Sequence, residues 1–276
     1  MKLFKSKRQA GLIASPYMAW AFIFIVVPLC MVIYYGFTDS AGKFTLDNIG
    51  TIMKPGYLKA LIRSIELALI STLVCFVLSY PLGMILAGMK LKKNAYIVTL
   101  FILPMWMNFL LRTLTWMTLL EGKGVINTVL EFFHLPTISI INTPAAIVLG
   151  MVYNFLPFMI LPIYNALNRI DENVINAARD LGAHTLQTFL RITLPLSLPG
   201  VLSGITMVFI PALTTFAIST MLGGSKILLI GNIIEQEFTQ LYDWHLGSGL
   251  SIVLMIFILI NMIVEAVYDK EGGMRR

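Results

Sequence analysis

The sequence predicts an all-α integral membrane protein with six spanning helices. Of its 276 residues 58% are hydrophobic and only 12% are charged, whereas charged residues make up about a quarter of a soluble domain. Six apolar runs, at about 12–36, 61–88, 95–120, 145–167, 200–222 and 246–268, each approach or exceed the about 20 residues that a helix needs to cross a bilayer. The basic residues gather at the ends of these runs, as topology requires.

The first run follows MKLFKSKR. It is too long for a signal peptide and has no small-x-small site at its end, so an uncleaved membrane helix is expected. Pro28, Pro81, Pro104, Pro157, Pro162 and Pro211 fall inside the runs. Membrane helices tolerate proline because neighbours re-satisfy the freed backbone groups, so kinked helices around a central path are expected. Between the third and fourth runs, Ile126, Val129, Leu130 and Phe133 recur at helical spacing and predict a short helix, either lying on the outer membrane face or buried within the loop.

Orientation follows from lysine and arginine, which cytoplasmic loops hold in excess. Lys2, Lys5, Lys7 and Arg8, then Lys90, Lys92 and Lys93, then Arg169, Arg179 and Arg191, then Lys270, Arg275 and Arg276 mark the inner segments. The opposite loops carry Lys43, Lys54, Lys59, Lys123 and Lys226, diluted by carboxylates. Both termini are therefore expected in the cytoplasm, and so is the polar stretch 171–200. There Val174, Ala177, Ala178 and Leu181 fall on one face of a helix that Asp171 can cap and Gly182 can close. A second helical run from Thr185 reaches Pro195 and Pro199, giving a helix–turn–helix suited to docking in a groove.

Other chemistries find no support in the sequence. Cys30 and Cys75 lie within apolar runs and form no CxxC spacing, so neither a disulfide framework nor a thiolate metal site is indicated. There is no Walker A sequence, dinucleotide fingerprint, HExxH or GxSxG, and His134, His184 and His245 are scattered over separate loops. The net charge of +6 is accounted for by topology and anionic lipid, not by nucleic acid.

Ala177-Ala178, Gly182 after three further residues, and Ile192-x-Leu194-Pro195 after nine more reproduce the EAA signature. On it the chain resembles the type-I permeases of bacterial ABC importers, departing only at Asn176, where the motif has glutamate. The resemblance implies a single permease domain over 1–276, in the bacterial inner membrane, with no catalytic site. Asn176, Ala177, Ala178, Arg179, Asp180, Gly182, Ala183, Ile192, Leu194 and Pro195 would form its coupling element. An ABC ATPase dimer would bind ATP and magnesium, none being held by this chain. A second, related permease and an extracytoplasmic binding protein would complete the assembly.

Phe44-Thr45-Leu46-Asp47-Asn48, Tyr80-Pro81-Leu82, Leu156-Pro157-Phe158-Met159, Ala178-Arg179-Asp180-Leu181-Gly182-Ala183, Leu228-Leu229-Ile230-Gly231-Asn232 and Asp243-Trp244 narrow the likeness to spermidine/putrescine permeases. His245 departs from it, standing where those permeases carry proline. The implied substrate is a chain of methylenes bearing ammonium groups. Its path should offer aromatic faces, each worth about 0.5 to 2 kcal/mol toward an ammonium. Trp106, Trp116, Tyr153, Phe155, Phe209 and Phe216 are candidates for such faces, and Glu121, Glu235, Glu237 and Asp243 for steering or receiving the cation. Arg63 and Glu66, one helical turn apart, are expected to neutralise each other, and Arg112 to pair with Glu121 or Glu66. The alternatives are a permease for sulfate, phosphate, iron or thiamine, and a membrane scaffold or receptor without transport.

Overall fold

The computed structural model describes residues 15–89 and 103–274. Among them the regular structure is helical, with one isolated bridge between Thr38 and Phe44. The helices are α1 (Ser15–Gly36), α2 (Pro55–Gly88), α3 (Phe109–Leu120), α4 (Val125–Phe132), α5 (Pro144–Leu167), α6 (Glu172–Asp180), α7 (Thr185–Thr214), α8 (Ala217–Gly223), α9 (Ile230–Thr239) and α10 (Trp244–Met274). Five of them, α1, α2, α5, α7 and the Trp244–Ala266 part of α10, are long and apolar enough to cross a membrane.

The third expected run, 95–120, is described only from residue 103. Its remainder is a 3-10 turn, Leu103–Trp106, and the 12-residue α3. Residues 95–102 of that run, 12–14 of the first, and Lys2, Lys5, Lys7, Arg8, Lys90, Lys92, Lys93, Arg275, Arg276 and the Lys270 side chain lie outside the described residues.

The fifth expected run, 200–222, is not one helix. Helix α7 begins fifteen residues earlier, at Thr185, and stops at Thr214. Its start contains a π-helical stretch, Phe189–Thr193, ending two residues before Pro195. The extra residue in such a turn accommodates a helix that proline would otherwise interrupt. Thr215 is extended, and α8 begins at Ala217. The break is braced from a distance: Asn232 donates to the Phe216 carbonyl at 3.1 Å and to Thr220 Oγ1 at 2.8 Å, and accepts from Ser219 Oγ at 2.6 Å. The buried amide thus adds to the Thr220 N bond on the same carbonyl and ties the first turn of α8 to Asn232.

By packing the chain forms two compact units, one containing residues up to Leu58 with Ile233–Ile256, the other Lys59–Asn232 with residues from Phe257 onward. In the first unit Asn48 closes the end of α1. Its Nδ2 reaches the carbonyls of Tyr35, Gly36 and Thr38 at 3.4, 3.3 and 2.9 Å, satisfying acceptors that a helix C-terminus leaves open. His245 Nδ1 lies 3.1 Å from the same Tyr35 carbonyl.

In the second unit α5 and α7 pack along their length. Lipid tails are as apolar as leucine, so close van der Waals contact, not expulsion of water, holds such helices together. Gly200 allows it: a Cβ there would stand 2.5 Å from the Pro162 carbonyl oxygen. Met159, Ile160 and Ile163 fill the seam with at most 1% exposure.

Candidate functional site

The stretch 171–200 folds as its capping residues dictate. Asp171 accepts a hydrogen bond from Asn173 N at 2.9 Å and opens α6. At the other end Gly182 N bonds to the Arg179 carbonyl at 2.9 Å and Ala183 N to the Ala178 carbonyl at 3.0 Å, the paired arrangement of a Schellman stop. It requires a left-handed residue, and Gly182 has φ +85°. His184 then begins α7, its N–H donating to Gln187 Oε1 at 3.3 Å.

This geometry sorts the residues expected to couple by direction. Ala178 turns inward at 8% exposure, while Val174, Ala177 and Leu181 face outward, Leu181 at 89%. Asn176, Asp180, Gly182 and Pro195 are exposed, and Ala183, Ile192 and Leu194 half-buried. Arg179 is exposed and, with Glu172, Ile175, Met84, Phe189 and Thr193, borders a cavity of about 370 Å³. The result is a short, doubly capped helix presenting an apolar stripe beside charge. The Gly182 turn joins it to α7, which runs on from Thr185 to Thr214 as a membrane-length helix.

The aromatic candidates separate into different settings. Trp116 and Tyr153 come together, with ring centroids 5.3 Å apart and planes at 68°. Phe155 is instead a core residue, 6% exposed and stacked on Phe109. Trp106 is 84% exposed in the 3-10 turn, Phe216 stands exposed at the break after α7, and Phe209 is half-buried in α7.

The carboxylates also differ. Glu121 is exposed, next to Asn127, which ties the loop around α4 through bonds to the Glu121, Gly122 and Ile138 carbonyls. Half-buried Glu235 accepts from Thr239 Oγ1 at 2.9 Å, and exposed Asp243 caps α10 through Leu246 N at 2.9 Å. Glu237 is not an open loop charge: it is 5% exposed and bonded to the Tyr57 hydroxyl. Burial, and then the Asp243 charge, push its carboxyl above the ordinary 4.5, with the Tyr57 bond opposing.

Two expected pairings are absent. Arg63 and Glu66 form no ion pair, and Arg112 pairs with neither Glu121 nor Glu66, among the described residues. Arg112 is 7% exposed and leaves Nε and Nη1 without partners, beside Thr113, whose hydroxyl receives Asn154 Nδ2 at 3.4 Å. Nor do three His, Cys, Asp or Glu side chains gather as a metal site among the described residues.

The fold is that of a multi-span helical membrane protein in which a short capped polar helix turns at Gly182 into a span. Residues 79–270 match the family of binding-protein-dependent transport system inner membrane components, and the chain belongs to it. It is 39% identical over 253 residues to the spermidine/putrescine transport system permease protein PotB of Escherichia coli K12, covering 89% of this chain and 92% of that one. With PotB of Haemophilus influenzae the identity is 34% over 272 residues, covering 96% and 95%. The fold is also that of a chain in a bacterial ABC transporter importing the acidic polysaccharide alginate, with TM-score 0.77, 18% identity, and coverage of 94% and 96%. The chain is thus a multi-pass inner-membrane permease of the type-I ABC class.

Proposed function

We propose that this chain is a permease subunit of an ATP-driven polyamine importer, forming part of the membrane path for spermidine and putrescine. The observation that carries the reading is the 39% identity extending over 92% of the E. coli spermidine/putrescine permease. An excess of carboxylates in the loops expected outside agrees with a cationic cargo, since an oxyanion path would favour positive lining.

In this reading α6 docks on a separate ATPase dimer, which binds ATP and magnesium. A second, related permease completes the path and an extracytoplasmic binding protein delivers the amine. Both termini face the cytoplasm, on the side of α6. The outward stripe of Val174, Ala177 and Leu181 and the side chain of Arg179 engage the ATPase groove. Asn176 offers an amide where the signature has a carboxylate, so an uncharged contact takes the place of a salt bridge. Coupling requires the ATPase to bind the two permease states with different free energy, and a helix fixed at both ends can carry that difference into α7.

The test is reconstitution of the assembled transporter in proteoliposomes, with ATP-dependent uptake of labelled spermidine and putrescine compared with sulfate, phosphate, iron and thiamine. Polyamine uptake abolished by omitting ATP is expected. Uptake of another of these solutes in place of polyamines overturns the cargo, and an isolated chain that associates with no ATPase overturns the transport role.

A further inference from the structure

We infer that a chamber between α2, α3 and α5 receives one ammonium group of the amine, with Glu66 as counter-charge and Trp116 and Tyr153 as aromatic walls. This rests on the polyamine reading and assigns it a site. The chamber is an open-sided cleft of about 660 Å³, within the range of about 300 to 1,000 Å³ common for small-molecule sites. Ile70, Val148 and Val152 supply aliphatic lining.

Its position suits arrival of substrate from outside. Val148 lies near the start of α5, and Leu167, at the other end, leads directly into α6. At ~1.5 Å per residue the chamber and the coupling helix are separated by roughly 28 Å along α5. The cation would be met at the end of this unit remote from α6.

Its chemistry suits an alkyl ammonium. Glu66 is the one charged residue in the lining, and it is exposed with no hydrogen bond or ion pair among the described residues. A lone carboxylate on a spanning helix is costly against lipid and marks a functional position. Among the described residues no lysine or arginine lines the chamber to neutralise it. Beside it, the edge-to-face contact of Trp116 and Tyr153 orients both rings, and electron-rich ring faces attract ammonium. The aliphatic lining suits the methylenes between charges. Inorganic cations would use the carboxylate alone and leave the rings and the aliphatic wall without purpose.

The experiment measures the concentration dependence of spermidine uptake by the reconstituted transporter, with co-purification of the ATPase as the check on assembly. Glu66→Gln is expected to raise KM about tenfold, the scale of one lost charge-assisted contact, with Glu66→Asp recovering part of it. Trp116→Leu and Tyr153→Leu are expected to raise KM several-fold, while Tyr153→Phe, which keeps the ring, stays near wild type. If wild type imports polyamines and E66Q, W116L and Y153L keep its KM within about twofold, the chamber assignment falls and the polyamine reading stands. If E66Q fails to assemble, unchanged KM in both ring variants overturns the assignment equally. Absence of polyamine uptake by wild type overturns the parent reading and this site with it.

Discussion

The Tyr80 hydroxyl and Ser197 Oγ share a hydrogen bond of 2.7 Å that ties α2 to α7 across 117 residues of sequence. The Tyr80 ring also meets Phe189 edge-on at 5.6 Å, so one side chain grips α7 on both sides of Thr193. In the proposed function this is where motion of α6 would enter the bundle. Tyr80→Phe removes the bond but leaves Ser197 bonded to the Leu194 carbonyl at 3.0 Å. The expected cost is about 1 kcal/mol, read as a fall of a few degrees in the melting temperature of the purified transporter. Tyr80→Ala also removes the ring, for about 3 to 5 kcal/mol, and should lower uptake per ATP hydrolysed.

Gly182 tests the turn itself. A Cβ at this position would meet nothing within 4 Å, so any effect of substitution comes from the backbone, held at φ +85°. Asparagine tolerates the left-handed region and valine does not. Gly182→Asn should therefore retain most ATP-driven uptake, whereas Gly182→Val should lose it through a strain of at least about 1 to 2 kcal/mol. Equal uptake by the two variants would remove the turn from the coupling mechanism.

Leu181 tests the docking face. At 89% exposure it contributes little to the fold of this chain, and a charge there remains solvated until a partner covers it. Leu181→Glu should leave expression and monodispersity intact while weakening ATPase association at least about tenfold, because burying an unpaired charge opposes binding. The measurement is the amount of ATPase retained on an affinity-tagged permease over a salt series. Full retention would move the interface to another surface.

Much of this architecture is written locally in the chain. Apolar runs reveal spanning helices because transfer into lipid sums over residues, and Asp171 and Gly182 announce α6 because caps act within a few positions. What the sequence concealed depends on contacts between distant segments. The first turn of α8 after the break is held by Asn232 from a distant segment, and the passage of α7 through Pro195 relies on a π-helical turn that no local pattern declares. The same limit applies to the candidate site. Spacing placed Arg63 and Glu66 within reach on one helix, yet spacing does not choose rotamers, and Glu66 instead joins Trp116 and Tyr153 from two other helices. Phe155 reads like nearby Tyr153 in sequence, but two positions of helical phase send it into the core against Phe109.

Glu237 gives the pH dependence. Its carboxyl titrates above the ordinary 4.5 because burial, and next the Asp243 charge, disfavour the ionised form, while the Tyr57 hydroxyl only partly offsets them. The folded state then holds a proton that the unfolded chain has released, so this group's contribution to stability is full below 4.5 and declines as pH rises through the raised value. Glu237→Gln fixes the neutral, hydrogen-bonding form. Its melting temperature should exceed that of wild type at pH 8, with the difference shrinking as pH falls below 4.5, where the carboxyl becomes protonated in the folded and unfolded states alike. The variant also separates stability from transport. A carboxylate 5% exposed is poorly placed to attract a passing cation, so uptake should change far less in E237Q than in E66Q. Uptake lost in E237Q with no gain in melting temperature at pH 8 would instead return Glu237 to the substrate path.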